Sequence, residues 1–176
     1  LLWGLWRPRI MAALERFELW IDLAREDGRT VALTECWGSM EYMGVRVLGK
    51  ADRIDRLPDG TLAMVDYKTG GAPSKRETAA GYRLQLGVLG LIARHGSFKS
   101  DRDAPDPRRI SGETSRFEYW SLRKVKDLFG EISVPMKMGP RESGLEPDEF
   151  LPLHEAKLTK AITRYILGGE PFTAKE

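Results

Sequence analysis

The stretch of sequence that decides the fold is residues 49–70, GKADRIDRLPDGTLAMVDYKTG. It reads as two β-strands joined by the turn LPDG at residues 57–60. Pro58 favours the second position of a type I turn, and Gly60 suits the left-handed residue that completes a three-residue hairpin loop. These preferences predict a tight hairpin in which the residue before Pro58 faces Thr61.

The register of this hairpin brings acidic residues together. Counting back along both strands from the turn places Asp52 opposite Asp66, with Cβ atoms about 5 Å apart. Lys68 lies two residues after Asp66 and therefore points to the same side of the sheet. A shift of one residue in the loop would move Asp52 to the other face. The sequence therefore predicts two carboxylates and a lysine at one spot.

Two facing carboxylates repel each other, and a divalent cation neutralises them better than one lysine does. Two carboxylates, a backbone carbonyl and waters are suitable ligands for Mg²⁺ or Mn²⁺ and leave room for a phosphate. Beside such an ion, Lys68 could orient the water that attacks phosphorus. The pattern indicates a metal-dependent phosphodiesterase. The alternative is a surface hairpin whose Asp and Lys form an exposed pair worth ~0–1 kcal/mol.

Composition places the chain among ordinary globular domains. It has 176 residues, of which 41% are apolar and 31% charged. A net charge of +2 does not by itself indicate a nucleic-acid-binding protein, and no apolar run approaches the ~20 residues of a membrane span. We expect residues 1–176 to form a single domain. Because the chain begins without Met, we also expect it to be a fragment of a longer protein.

The remaining pattern predicts an α/β fold, with a small mixed β-sheet flanked by helices. We expect residues 97–116, which are polar and rich in proline, to form a surface loop or a partly disordered excursion. The predicted helices are 7–27, 77–95 and 151–167, and the predicted strands are 30–37, 41–54, 61–69 and 116–122.

A family resemblance follows from these motifs. The string GKADRID…VDYKTG…YRLQL resembles the RecB-like branch of the PD-(D/E)XK nuclease superfamily. Within that branch it is most similar to the C-terminal nuclease domains of AddB-type helicase–nuclease subunits. The resemblance covers most of the chain and implies a restriction-endonuclease-like core.

The resemblance also implies roles for individual residues. Asp52 and Asp66 match the metal-binding aspartates, Tyr67 would offer its backbone carbonyl to the metal, and Lys68 matches the catalytic lysine. Gln85 matches a glutamine motif that supports the site and contacts DNA. That motif usually continues to a tyrosine four residues later, where this chain has Leu89.

The third acidic residue stays open at this stage. Glu35, in a strand just before the hairpin, matches a position where the family often has a glutamate. Glu15 and Glu18 on the first helix are alternatives, because many superfamily members take an acid from that helix. Asp55 is expected on the opposite face from Asp52, paired with an arginine of its own strand.

A predicted DNA-binding set lies around the second helix. Lys75 and Arg76 stand at the entrance to this helix, where positive charge and free backbone N–H groups suit a phosphate. Tyr82 and Arg83, next to the glutamine motif, complete the set.

The resemblance implies the wider function as well. It implies a Mg²⁺-dependent deoxyribonuclease (with Mn²⁺ as substitute), of exonuclease type, acting on single- or double-stranded DNA ends in double-strand break repair and recombination. Its partner would be an AddA-type helicase subunit in the bacterial cytoplasm. No iron–sulfur cluster is expected within this chain, which has one cysteine, and His95 and His154 are interpreted as surface or helix-end residues. The alternatives are a non-cleaving DNA- or partner-binding module of the same fold and a free-standing RecB-family exonuclease.

Overall fold

A computed structural model of the chain describes residues 2–100, 108–125 and 128–171. The helices in this part of the chain are α1 (Leu2–Glu26), α2 (Lys75–Ala79), α3 (Gln85–His95) and α4 (Pro147–Ala161), the last continued by a π-helical turn, Ile162–Leu167. The strands are β1 (Thr30–Tyr42), β2 (Val45–Arg56), β3 (Leu62–Lys68), β4 (Ser97–Lys99), β5 (Arg109–Ile110), β6 (Thr114–Val125) and β7 (Leu128–Ser133).

The strands form one mixed sheet. In the described part of the chain its order is β5-β4-β1-β2-β3-β6-β7. Neighbouring strands pair antiparallel except β3 and β6, which are parallel. A parallel pair needs a long crossover, and α2, α3, β4 and β5 lie within this one. The predicted α/β fold with a mixed sheet flanked by helices is confirmed, although the sheet has more strands than the sequence indicated.

The main core lies between the sheet and the pair α3 and α4. Ile54, Met64 and Leu91 are fully buried there, and Phe117 stacks against Phe150 at a centroid distance of 4.4 Å. Each fully buried large apolar side chain contributes roughly 1.5–3 kcal/mol relative to exposure. This layer fixes α3 over the centre of the sheet.

The opposite face of the sheet is covered by α1. Trp20 on α1 packs edge-to-face on Trp120 of β6, with ring centroids 5.7 Å apart. Below them lies a buried charged network in which Arg29 binds Glu118 through two hydrogen bonds of 2.6 and 3.0 Å. In the same network Arg53 Nε donates to Asp55 Oδ1 at 2.7 Å. The expected pairing of Asp55 with an arginine of its own strand is therefore confirmed, and it anchors β2 next to Asp52.

The turn between the first two strands was predicted at the wrong place. Residues 38–39 were expected to break the strand, but β1 continues to Tyr42 and the chain reverses at Met43–Gly44, whose φ angles are 52° and 74°. Two successive positive φ angles are typical of a type I′ hairpin turn. Gly38 instead permits close packing, because a Cβ there would lie 2.6 Å from the Phe98 ring.

The predicted second helix, 77–95, is two helices. It breaks because Gly81 takes φ +73° and its N–H bonds back to Thr78 O at 2.8 Å, which closes the end of α2. The predicted loop 97–116 contains β4, β5 and the start of β6, while residues 101–107 lie outside the described residues. These strands form because Phe98 inserts into the core and pairs across to Ile110.

The ends of the chain also differ from the prediction. The first helix begins at Leu2 rather than at residue 7, so that Pro8 lies inside it. The last helix begins at Pro147, where Glu146 and Glu149 form a capping box. Among the described residues, no helix has the length and hydropathy needed to cross a membrane.

Candidate active site

The predicted hairpin register is confirmed. Leu57 N donates to Thr61 O and Gly60 N to Leu57 O, both at 2.9 Å. The ladder of β2 and β3 runs from Arg56↔Leu62 to Arg53↔Val65, so that Asp52 and Asp66 are the next facing positions. At this point the Asp52 side chain links β2 to β3, because its Oδ2 accepts a hydrogen bond from the Tyr67 N–H at 2.9 Å.

Asp66, Lys68 and Gln85 form one connected group. Lys68 Nζ lies 2.7 Å from Asp66 Oδ2 and donates to Gln85 Oε1 at 3.1 Å. Gln85 Nε2 in turn donates to Asp66 Oδ1 at 2.5 Å. Gln85 is the first residue of α3. Because the helix breaks at residues 80–84, the Gln85 side chain lies at the end of β3.

The electrostatics of the group are those of a crowded carboxylate pair. Asp66 is 2% exposed. Its burial raises the pKa of its carboxyl group, and the charge of Asp52 adds to this, against the lowering effects of Lys68 and Gln85. Next to Asp66 in the parallel register lies Tyr119, where burial and the Asp66 charge raise the pKa of the phenol to about 12. The Tyr119 hydroxyl therefore stays protonated at neutral pH.

The structure places Glu35 beside the site but turned to another partner. The register of β1 and β2 passes from Thr34↔Arg53 to Cys36↔Ala51, so Glu35 is the residue opposite Asp52. Its backbone has a positive φ of 48°. Its carboxylate is ion-paired to Lys50 Nζ at 2.5 Å and is 63% exposed.

The rival acids are placed elsewhere. Glu15 and Glu18 are exposed on α1, which packs on the opposite face of the sheet from α3. Among the described residues, no group of three or more His, Cys, Asp or Glu side chains converges as a metal site. The described acidic centre is thus the pair Asp52 and Asp66.

Of the four predicted DNA-binding residues, Tyr82 and Arg83 lie beside Lys68, whereas Lys75 and Arg76 lie at the start of α2. Lys75 is ion-paired with Glu142, and Arg76 is exposed at the start of α2. Tyr82 is 74% exposed, and Arg83 NH2 lies 3.5 Å from Glu77 Oε1. Tyr82 and Arg83 border a polar pocket of about 500 Å³ that also reaches Lys68 and Gln85.

Comparison with protein families agrees with this geometry. A family model for the PD-(D/E)XK nuclease superfamily matches residues 3–174. The chain belongs to the PD-(D/E)XK nuclease superfamily. Superfamily members are typically nucleases, which hydrolyse nucleic acids and generally use divalent metal ions such as Mg²⁺.

Several features of this PD-(D/E)XK domain fit a divalent cation. Its donor set comprises two carboxylates on adjacent strands, the hard oxygen ligands that Mg²⁺ prefers. Asp66 Oδ2 is buried, and its contact among the described residues is the ion pair with Lys68 Nζ at 2.7 Å. A carboxylate oxygen has two lone pairs, so Oδ2 has capacity for a further ligand.

Sequence reasoning missed a residue that builds the site. His154 was expected to be a surface or helix-end residue but is fully buried under α3. Its Nδ1 lies 2.6 Å from Phe150 O and its Nε2 lies 3.3 Å from Arg83 O. Only the absence of a side chain at Gly87 makes room for the ring. No sequence pattern around His154 carried this information, because the space that its ring fills is left by Gly87 on another helix.

Proposed function

We propose that the domain is a Mg²⁺-dependent deoxyribonuclease in which Asp52 and Asp66 hold the metal and Lys68 is catalytic. The observation that carries this proposal is the connected group of Asp66, Lys68 and Gln85 next to Asp52. In a purely structural hairpin the Asp66 carboxylate would only be unfavourable, because both its burial and the charge of Asp52 disfavour its ionised form.

The chain's own residues would act as follows. Gln85 holds Asp66 Oδ1, which leaves Oδ2 directed to the side of Lys68. The Asp52 carboxylate is positioned by the Tyr67 N–H, and the Tyr67 backbone carbonyl is proposed as a further metal ligand. Glu35, opposite Asp52, would support the site.

The reaction is the hydrolysis of a phosphodiester. Water attacks phosphorus, one P–O ester bond breaks, and the leaving oxygen gains a proton. Lys68 Nζ orients the attacking water and stabilises negative charge at phosphorus. A divalent cation, when bound, supplies Lewis-acid activation of that water and offsets the charge of the transition state.

The wider context is part of the same proposal. The motif string GKADRID…VDYKTG supports an AddB-type nuclease domain of exonuclease type. Such a domain would receive DNA ends from an AddA-type helicase in the bacterial cytoplasm and act in double-strand break repair. Lys75 and Arg76 would bind the DNA backbone along this path.

Metal binding tests the site without relying on turnover. Titration of the protein with Mn²⁺, followed by the loss of the free-ion electron paramagnetic resonance signal, should show saturable binding. The variant Asp52→Asn should lose it. Asp22→Asn, an exposed aspartate paired with Arg25 on α1, is the matched control and should bind as wild type does. Saturable binding that survives in Asp52→Asn would contradict the proposed metal site, and a wild type without binding would favour a non-cleaving module.

A further inference from the structure

The connection between α2 and α3, residues 80–84, is clamped at both ends by α4. Lys157 Nζ donates to Ala80 O, and His154 Nε2 contacts Arg83 O, both at 3.3 Å. Between these contacts, Tyr82 N donates to Glu77 O at 3.1 Å. The backbone that carries Tyr82 is therefore fixed although its ring is 74% exposed.

The ring of Tyr82 stands at the rim of a defined pocket. The pocket measures about 500 Å³, within the ~300–1,000 Å³ typical of sites for small organic ligands. Lys68 and Gln85 lie on one side of it, and Tyr119 and Pro73 contribute to its lining. A molecule in this pocket would therefore adjoin the atoms to which the hydrolysis is assigned.

The chemistry of the lining suits one nucleotide. An exposed aromatic ring on a fixed backbone offers a stacking surface for any base, because every base has a π-face. Arg83 is 57% exposed and only loosely paired, with 3.5 Å to Glu77 Oε1, so that its guanidinium can bind a phosphate in a bidentate manner. Tyr119, in the middle of β6, adds a phenol to the lining.

We propose that this pocket receives a single unpaired nucleotide next to the scissile phosphodiester, with its base stacked on Tyr82 and its phosphate bound by Arg83. The inference rests on the proposed nuclease function and adds the nucleotide subsite to it. A base still paired in a duplex is held by its complement, and entry into the pocket requires that it leave the stack. The subsite therefore favours frayed or single-stranded DNA next to the cleaved bond.

Fluorescence of 2-aminopurine tests the subsite without cleavage. A short single-stranded oligodeoxynucleotide with 2-aminopurine near one end is titrated with protein in EDTA, with the label moved one position at a time. At one label position, wild type and Tyr82→Phe should quench the fluorescence and Tyr82→Ala should not. Tyr82→Ala should also bind the single strand at least about fivefold more weakly, the lower end of the effect of one base stack. Its affinity for blunt duplex DNA should change less.

Arg83 provides the second arm. Arg83→Ala should weaken binding of the single strand, and Arg25→Ala, at an exposed arginine paired with Asp22 on α1, should not. Quenching by Tyr82→Ala equal to wild type, or an equal loss for single strand and blunt duplex, would overturn the subsite.

The two proposals fail in different ways. Position-dependent quenching by a protein that never cleaves DNA would sustain the pocket and count against the nuclease. Metal-dependent cleavage by a protein that shows no quenching at any label position would sustain the nuclease and overturn the pocket.

Discussion

Gly87 is the position at which the packing that supports the site can be tested most sharply. A Cβ at Gly87 would lie 2.1 Å from His154 Cγ, 2.2 Å from Cδ2 and 2.6 Å from Cβ. Carbon atoms in contact prefer about 3.5–4.0 Å, so either α3 or the His154 ring must move by more than an ångström. Overpacking of this kind costs ~1–3 kcal/mol, and helix propensity returns up to ~1 kcal/mol for Gly→Ala. With three overlapping atoms, we expect Gly87→Ala to lower the free energy of unfolding by about 2 kcal/mol.

The assay is urea denaturation of four proteins in a double-mutant cycle. His154→Ala removes the two closest ring atoms, so Gly87→Ala should cost at least about 1 kcal/mol less in that background. Gly139→Ala, at a glycine with nothing within 4 Å of its built Cβ, is the control and should be nearly neutral. Equal costs of Gly87→Ala in both backgrounds would refute the reasoning.

Two further predictions concern charged groups. Burial works to raise the pKa of Glu118, but Arg29, with Trp120, outweighs it and holds the pKa below its ordinary value. A lowered pKa in the folded state contributes stability above the ordinary pKa of about 4.3, which is lost as the pH falls through the folded value. Glu118→Gln should therefore cost roughly 3–5 kcal/mol at neutral pH by urea denaturation, and less in acid. Glu113→Gln, which breaks a more exposed pair, should cost ~0–1 kcal/mol. A similar cost for Glu118→Gln and Glu113→Gln would contradict the importance assigned to burial of the Glu118 pair. Asp66→Asn should raise the melting temperature of the protein in EDTA, because it removes a buried charge that faces Asp52; a lower melting temperature in calorimetry would contradict the assigned repulsion.

The hairpin and its register could be predicted from sequence because both depend on local chemistry. The turn residues around Pro58 and Gly60 fix the loop length, and the alternation of a strand then fixes which side chains meet. The same local logic holds for the end of α1 at Gly28, whose φ is +74°.

The remaining features depend on contacts distant in sequence. β1 runs through Gly38 because Phe98 and Ile92 pack on its face, and no window around Gly38 contains them. His154 is buried because Gly87 leaves space, and Glu35 turns to Lys50 because the two strands pair. Contacts of this kind cannot be predicted from the composition and residue spacing of one segment.

The most direct test of the central claim is cleavage of end-labelled linear DNA, single- and double-stranded, in Mg²⁺, Mn²⁺ or EDTA. Wild type is compared with Lys68→Ala and with Lys160→Ala, an exposed lysine on α4. We predict that wild type and Lys160→Ala cut DNA only with a divalent metal and that Lys68→Ala is slower by about 100-fold or more. Cleavage by Lys68→Ala at the wild-type rate, or cleavage by wild type in EDTA, would contradict the assignment of this site.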